Sequence, residues 1–425
     1  PTEPLHVGHG RGAAVGDALA NLLAAVGYDV QREFYINDAG RQVRLLAQSI
    51  YARYQQALGN NVDFPEDGYH GEYVAELAQA FITAQGSAYL NEPFDACAGA
   101  FGDFGKEAML TDIKKDLGDF GVRFDVWFSE RSLLTDGSVQ GSLAELRGRG
   151  YLFDKDGAQW LRSTAFGDDK DRVVVKKDGE YTYLATDIAY HRNKLARGFD
   201  RLVNIWGADH HGYIPRVQAV IQAFGHPQDA LQVLLVQLVS ILRHGQPVPM
   251  SKRAGTFVTL RDVVQDVGRD AARYIFLTRR SDSHLDFDLD LAKEQSRENP
   301  VYYVQYAHAR IASIFREAES RGIALPAREA VKVELLDLEE EQDLLKALAR
   351  FPEVIEEAAI AFEPHRLTFY LQDLAGLLHN YYFKHRVIDA GDPARTGARL
   401  FLMKQIKTVI QSALQILGVS APEKM

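Results

Sequence analysis

The chain has 425 residues and a formal net charge of −10; 46% of its residues are hydrophobic and 25% are charged. This composition is typical of a globular protein and excludes extensive disorder or a collagen-like repeat. The length predicts two or three domains, and because no stretch of about 18 apolar residues occurs, we expect no membrane span. The single cysteine, Cys97, indicates a reducing, cytoplasmic compartment. The negative charge argues against a polyanionic partner such as nucleic acid.

The first elements indicate an α/β unit with a helical insertion. The chain begins at Pro1 rather than at methionine, so we expect a fragment. Apolar residues at three- and four-residue spacing predict a helix over 10–26 that ends at Gly27. β-Branched and aromatic residues predict a strand over 30–36. Helical patterns dominate about 41–118, which we interpret as an insertion into the α/β unit.

Strand signals then alternate with helical ones. Two hairpins are predicted, over 151–162 and 172–184, because each has a Lys-Asp-Gly turn between strand-like runs. A strand over 201–206 precedes a helix over 214–224. The apolar run 231–242 predicts one strand that is buried on both faces of a parallel sheet. Strands that alternate with helices in this way indicate βαβ units.

Beyond residue 290 the patterns are helical only, for example over 335–348 and 400–417. The sequence therefore predicts an α/β domain over 1–290 followed by an all-α domain over 291–425.

A histidine-glycine motif opens the first helix. His6 and His9 are three residues apart with Gly8 between them, at a helix N-terminus whose free N–H groups and dipole attract anions. The glycines at positions 8, 10 and 12 would let a nucleotide approach the backbone closely. An exposed turn that happens to contain histidines is the alternative interpretation.

A second motif lies about 240 residues later, at 249–255 (PMSKRAG). It follows the apolar run 231–242, and a lysine on a loop after a parallel strand is placed to reach a ligand at the edge of the sheet. On its own, the motif is better explained as a solvated basic turn.

Together these motifs resemble the two signatures of class I aminoacyl-tRNA synthetases, in the right order. The wider sequence resembles the arginyl-tRNA synthetase family. The matching stretches are 4–12 (PLHVGHGRG), 35–40 (YINDAG), 250–259 (MSKRAGTFVT), 299–310 (NPVYYVQYAHAR) and 418–425 (GVSAPEKM). The resemblance implies a Rossmann-like catalytic domain with a helical insertion, followed by a helical anticodon-binding bundle. It also implies that the domain preceding the catalytic one is missing.

The resemblance implies ATP-dependent activation of L-arginine and transfer of the arginyl group to tRNA(Arg), with Mg²⁺ accompanying ATP. The catalytic residues would be His6, His9 and Lys252. The ATP-binding residues would be His6, Gly8, His9, Met250, Ser251 and Lys252. Pro249 stands where the signature has its first lysine, a lysine that members of this family often lack.

Recognition of arginine requires carboxylates and an aromatic face for the planar cation. Tyr183 and Asp187 match the family's contacts to the substrate side chain, and they lie one turn apart if the segment is helical. Glu130, His210 and His6 are further predicted arginine contacts. Without the resemblance, a core tyrosine and a helix N-terminal acid would be the preferred interpretation of the first pair.

The helical domain would bind the anticodon loop of tRNA(Arg). Tyr381, Tyr382 and Met425 are the predicted contacts, because RNA loops are recognised by stacking on aromatic side chains. Helix packing is the alternative for the two tyrosines. Residues 366–425 contain eight basic and four acidic residues, so the net charge conceals a basic terminal region. We expect a monomer.

Three rival functions remain on the sequence alone. Asp209-His210-His211 resembles a metal-binding triplet of phosphoesterases, although matching aspartates near the N-terminus are lacking. A smaller nucleotidyltransferase would share the histidine motif but not the long helical domain. A catalytically inactive binding paralogue is disfavoured by the intact His6, His9 and Lys252.

Overall fold

Parallel strand pairs form the centre of the α/β part. The computed structural model describes residues 1–248 and 258–425. The strands are β1 (Glu33–Ile36), β2 (Val126–Ser129), β3 (Leu152–Lys155), β4 (Ala158–Leu161), β5 (Arg172–Val175), β6 (Leu202–Gly207), β7 (Leu231–Val236), β8 (Val239–Arg243), β9 (Gln246–Pro247) and β10 (Leu285–Asp288). Strand β1 pairs with β2, β6 with β7, and β8 with β10, all in parallel. The remaining pairs, β3–β4, β4–β5 and β8–β9, are antiparallel.

Helices connect the parallel strands and make up the last third of the chain. The α/β part contains α1 (Val7–Ala25), α2 (Arg41–Ala57), α3 (Glu72–Gln85), α4 (Phe94–Asp119), α5 (Glu130–Thr135), α6 (Ser138–Gly148), α7 (Tyr183–Ala196), α8 (Ile214–Ala223), α9 (Leu260–Val267) and α10 (Arg269–Phe276). The terminal bundle contains α11 (Pro300–Ser320), α12 (Glu339–Ala361), α13 (His365–Lys384) and α14 (Pro393–Ile416). The predicted change from α/β to all-α structure is confirmed. No helix among the described residues is long and apolar enough to cross a membrane.

Helix α1 confirms the prediction for its region. Its buried positions include Ala14, Ala18 and Leu22, which follow the predicted three- and four-residue spacing. The helix ends at Ala25, and Gly27 follows the cap residue Val26 with a φ of +97°, the left-handed conformation that a glycine adopts without strain.

The helices of 41–118 form a core of their own. Helices α2, α3 and α4 lie in the chain between the paired strands β1 and β2, and they bury Leu46, Phe81 and Phe101 against one another. The second half of α4, with Ile113 and Leu117, belongs instead to the main core. Helix α4 is therefore shared by the two cores.

Two strand predictions are wrong in part. The run 231–242 forms two strands, β7 and β8, which pair with different neighbours. At the point of divergence, the buried Arg11 guanidinium of α1 donates to the carbonyl of Gln237 (3.0 Å), so a side chain satisfies a group that one continuous strand would pair. In the second hairpin, Tyr181 makes a single bridge to Val175 before α7 begins at Tyr183. The first hairpin is confirmed.

A buried arginine joins the α/β part to the terminal bundle. The Arg273 guanidinium on α10 donates to Asp17 Oδ2 on α1 (2.5 Å) and to the carbonyl of Leu417 after α14 (3.1 Å). Gly418 has a φ of +70°, and a Cβ there would lie 2.1 Å from Arg273 Nη2. Only glycine lets the guanidinium approach the end of α14 so closely.

Candidate active site

The histidine motif caps the N-terminus of α1. His6 Nδ1 accepts the backbone N–H of Gly8 (3.0 Å) and that of His9 (3.4 Å), while His9 Nδ1 accepts the N–H of His6 (3.3 Å). The two rings stack with their centroids 3.6 Å apart. Because each Nδ1 is an acceptor, the neutral rings carry their protons on Nε2. Two N–H donors therefore accompany the positive end of the helix dipole, an arrangement suited to phosphate oxygens.

The chain that follows the second motif lies beside the first motif. Pro249, Met250, Ser251 and Lys252 lie outside the described residues. The segment that follows them is described: the N–H of Val7 donates to the carbonyl of Val258 (3.2 Å), and the N–H of Leu260 donates to that of Leu5 (2.8 Å). The backbone on either side of His6 is thus hydrogen-bonded to the chain that leaves the second motif.

Acidic side chains gather where β1 and β2 end. Asp38 is buried and accepts from Ser129 Oγ (2.7 Å) and from the N–H of Arg131 (2.9 Å). Glu130, the first residue of α5, is also buried. Burial raises the pKa of Glu130, the charges of Asp187 and Asp38 raise it further, and the Thr186 and Tyr35 hydroxyls oppose the rise. A cation would relieve this repulsion between carboxylates.

Asp187 brings a further carboxylate to the group from the first turns of α7. Burial raises its pKa to about 6, and the rise is opposed first by a hydrogen bond from Tyr213 and then by the charges of Lys194 and His210. Tyr213 Oη donates to Asp187 Oδ2 at 2.6 Å. Tyr183 lies one turn earlier on α7 and is 73% exposed. An aromatic ring and a carboxylate therefore stand together at the surface end of α7.

His210 lies in a short 3₁₀ segment just after β6. Its ring is exposed, with its centroid 6.1 Å from that of Trp206. The polar groups near Asp187 thus come from three places in the chain: the end of β2, the start of α7 and the end of β6. The carboxyl ends of parallel strands meet at one edge of a sheet, which is where ligands bind in α/β folds.

Sequence reasoning missed several of the residues around these carboxylates. Tyr35 and Asp38 lie in the resembling stretch 35–40, but their positions there gave no role. Nothing in the sequence marked Tyr213, because its partner Asp187 is 26 residues away. Burial raises the pKa of Tyr35 and of Tyr213, so both hydroxyls keep their protons and act as donors to the carboxylates.

In the terminal bundle the predicted RNA contacts differ in exposure. Tyr381 is fully buried, and its hydroxyl donates to Glu341 Oε1 (3.1 Å). This is the position expected if Tyr381 packs between helices. Tyr382 is 39% exposed, and the Arg310 guanidinium lies 4.5 Å from its ring centroid. Met425 is 52% exposed. No group of three or more potential metal-ligating side chains occurs in the described part of the chain.

Comparisons with known proteins identify the family. The family model "tRNA synthetases class I (R), catalytic domain" matches residues 2–288, and "DALR anticodon binding domain" matches residues 304–425. An arginine–tRNA ligase from Citrifermentans bemidjiense is 53% identical over 425 residues, which are the whole chain and 76% of that relative. One from Geobacillus kaustophilus is 52% identical over the same shares of both chains.

Solved structures agree with the sequence matches. A Campylobacter jejuni structure assigned as an arginyl-tRNA synthetase superposes with a TM-score of 0.91 at 37% identity, covering 100% of this chain and 92% of that one. The Thermus thermophilus arginyl-tRNA synthetase shares the fold, with a TM-score of 0.78 at 23% identity over 100% of this chain and 81% of that one. The chain therefore belongs to the arginyl-tRNA synthetase family: it is an arginine–tRNA ligase with an ATP-using class I catalytic domain followed by a helical anticodon-binding domain.

Proposed function

We propose that the two steps of arginine–tRNA ligation take place at the carboxyl edge of the parallel strands. The arginine α-carboxylate attacks the α-phosphorus of ATP, which forms arginyl-adenylate and releases pyrophosphate. A terminal ribose hydroxyl of tRNA(Arg) then attacks the acyl carbon and AMP leaves. The observation that carries the proposal is the pairing of the segment around His6 with residues 258–260, because it holds the chain that follows the second signature against the first signature.

The histidine motif would serve the phosphates. His6 and His9 would donate hydrogen bonds from Nε2 to the triphosphate as charge develops at the α-phosphorus, and Gly8 would let the nucleotide approach the backbone. Lys252 would neutralise the leaving pyrophosphate, with Met250 and Ser251 as further contacts from the same loop. Mg²⁺ enters the proposal as the companion of the ATP phosphates, whose oxygens are ligands that it prefers.

The acidic group would recognise the arginine side chain. Asp187 and Glu130 would accept from the guanidinium, and the exposed ring of Tyr183 would cover its face. His210 and His6 would contact the polar end of the amino acid. The guanidinium of arginine is a planar cation with five donors. The raised pKa values of both carboxyl groups show that their ionised forms are disfavoured in the free protein, and a bound cation would stabilise these forms.

The terminal bundle would meet the anticodon loop. We place the boundary between the catalytic domain and the bundle at residue 290, and we assign about 41–118 as an insertion in the catalytic domain. Tyr382 and Met425 are exposed and would contact an unstacked base directly, whereas Tyr381 would act from its buried position below them. A monomer working in the cytoplasm is the simplest assembly for this arrangement.

Arginine-dependent ATP–pyrophosphate exchange, measured with and without tRNA(Arg), tests the proposal. We expect exchange with arginine and tRNA present, and a strong loss of rate in Lys252→Ala with nearly unchanged arginine binding. Exchange driven by another amino acid, or none with tRNA present, would contradict the proposed reaction. Equal loss of rate and of binding in Lys252→Ala would make the lysine structural.

A further inference from the structure

A chain of buried hydrogen bonds runs behind Asp187. Lys194 Nζ donates to Asn204 Oδ1 (2.8 Å), the Asn204 amide contacts His191 Nε2 (3.0 Å), and His191 Nδ1 contacts the backbone carbonyl of Asp187 (2.8 Å). An ammonium has donors only, so Asn204 must turn its oxygen to Lys194 and its NH₂ to His191. His191 then accepts at Nε2 and donates from Nδ1, which is its neutral form. Each of these three hydrogen bonds thus joins one donor to one acceptor.

The chain ties the substrate end of α7 to β6. Asp187, His191 and Lys194 follow one face of α7 at four- and three-residue spacing, and Asn204 lies on β6. Lys194, His191 and Asn204 are all buried. Moving the first turns of α7 would therefore break hydrogen bonds inside the protein, where a lost partner is costly.

Lys194 is a cation enclosed behind a site proposed to bind a cation. Its Nζ hydrogen bonds the neutral amide of Asn204 and lies 4.4 Å from the centroid of the Tyr190 ring. Burial lowers the pKa of Lys194 to about 8; the charge of Glu33 on β1 and that of Asp187 raise it, while Arg197 lowers it. Its ammonium is therefore retained partly by the negative charge of Asp187.

We propose that Lys194 is a positioning residue for arginine recognition, which holds the first turns of α7 through Asn204 and His191 and keeps Asp187 ionised until the substrate guanidinium takes over that charge. This inference rests on the proposed arginine site at Asp187. When the guanidinium binds, Lys194 faces a neutralised carboxylate and a new positive charge. It then releases its proton to the solvent.

The charges around Asp187 give the proposal a measurable signature. Tyr213, Lys194 and His210 favour its ionised form, while burial opposes it. Glu130 lies close enough for the charge of Asp187 to raise the pKa of Glu130. Arginine binding favours the ionised Asp187, so it expels a proton near pH 6. Binding disfavours the charged Lys194, so it expels a second proton near and below pH 8.

Titration calorimetry of arginine binding, repeated in buffers with different ionisation enthalpies, counts these protons. In the unmodified enzyme we expect release in both pH ranges. Lys194→Met should lose the release near pH 8, and its acidic loss of affinity should begin at a higher pH because Asp187 has lost a stabilising cation. Lys194→Gln should show the same two changes as Lys194→Met. Its amide can still donate a hydrogen bond to Asn204, so the fold should stay intact. Differences between variants cancel the titration of arginine itself.

Lys106→Met is the matched control, because Lys106 is a buried lysine on α4 in the insertion and pairs with Asp103 (3.5 Å). It should keep both releases. Unchanged release near pH 8 in both Lys194 variants would overturn the inference. Asp187→Asn separates the two proposals: if arginine binds this variant with unchanged affinity, the proposed arginine site itself is wrong. If affinity falls in Asp187→Asn but the Lys194 variants behave as wild type, only the role of Lys194 is wrong.

Discussion

The proposed role of Asp187 in binding arginine opposes its contribution to the stability of the fold. Its carboxylate is half-buried near Glu130, and one hydroxyl, that of Tyr213, donates to it at 2.6 Å. Burial therefore favours the protonated acid, whereas a guanidinium favours the ionised form. The opposing preferences make two predictions that can be separated by experiment.

The first prediction concerns affinity. Asp187→Asn should raise KM for arginine by roughly 10- to 150-fold, since a hydrogen bond to a charged group contributes about 1.5–3 kcal/mol. KM for ATP should stay unchanged. Steady-state ATP–pyrophosphate exchange with tRNA present measures both constants. Asp178→Asn, in the exposed turn before α7, is the control and should alter neither. An equal rise in both KM values would point to general distortion instead.

The second prediction concerns stability and pH. The pKa of Asp187 is raised from 3.8 to about 6, so its folded form is favoured when protonated and wild type loses stability as the pH rises from 3.8 through 6. Asp187→Asn avoids that loss. Without arginine, the variant should be more stable than wild type at pH 7.5, by at most about 3 kcal/mol, and should show little difference at pH 4. Urea unfolding at the two pH values tests this; a pH-independent difference would contradict it.

At the scale of elements, α1 packs closely against α9 because residue 10 is a glycine and has no side chain. A Cβ on Gly10 would lie 2.6 Å from Leu260 Cδ1 and 3.3 Å from the Phe276 ring, whereas a Cβ on Gly12 would meet nothing within 4 Å. Leu260 begins α9, which follows the chain leaving the second motif. The close approach of the two helices therefore fixes the position of the histidine motif relative to the chain that follows the second motif.

Gly10→Ala should separate α1 from α9. An extra methyl group in this contact costs about 1–3 kcal/mol of stability. If α9 moves away to relieve the clash, and if this weakens ATP binding by about 1 kcal/mol, KM for ATP rises roughly fivefold. Leu260→Ala in the same chain should restore KM by making room. Gly12→Ala should leave KM unchanged and stabilise the helix by about 0.5–1 kcal/mol. Normal KM in Gly10→Ala, with lowered stability, would show that the contact does not reach the ATP site.

Sequence periodicity predicted the elements whose structure depends on residues close by in the sequence. It failed for elements whose structure depends on contacts with residues far away in the sequence. The 10–26 helix and the 151–162 hairpin follow from local spacing and turn residues. The division of 231–242 into β7 and β8 depends on the carbonyl of Gln237, which Arg11 satisfies from 226 residues away. Burial of Tyr381 depends likewise on Glu341, 40 residues earlier. Tyr183 and Asp187 needed family resemblance, because their spacing alone indicates only a helix.

For the whole molecule, Arg273 is the point at which the catalytic part and the terminal bundle meet. Beyond Asp17 and Leu417, its guanidinium donates to the carbonyls of Phe120 and Gly121 after α4, each at 3.2 Å. These groups come from three places in the chain, namely α1, the segment after α4 and the end of α14, and the Arg273 side chain is fully buried. Removing it would leave the Asp17 carboxylate without its closest cation.

Arg273→Met should therefore weaken the link between the two parts. Leaving a buried charge unpaired costs about 3–5 kcal/mol. The three tryptophans, Trp127, Trp160 and Trp206, all lie in the α/β part, so their fluorescence follows that part while far-ultraviolet circular dichroism also follows the bundle. We expect coincident urea transitions in wild type and separated ones in the variant.

Gly418→Ala tests the same contact from the bundle side and should also separate the transitions. Tyr274→Phe is the control: it removes two neutral hydrogen bonds between the same parts, from Tyr274 to the carbonyl of Thr368 (3.2 Å) and from Gln372 to Tyr274 (3.2 Å). It should lower stability without separating the transitions, because it leaves no charge without its partner. Coincident transitions in both Arg273→Met and Gly418→Ala would show that the other contacts between the two parts, such as that of Gln305 with Asp270, unite them without Arg273.

The shared helix α4 connects the core of the insertion with the contacts of Arg273. Its 26 residues make a rod about 39 Å long, with one end in the core of the insertion and the other beside Phe120 and Gly121. A straight helix transmits a push along its length far better than a loop does. A displacement of the insertion along α4 would therefore reach the carbonyls of Phe120 and Gly121 and, through them, the Arg273 guanidinium that also contacts α1 and the end of α14.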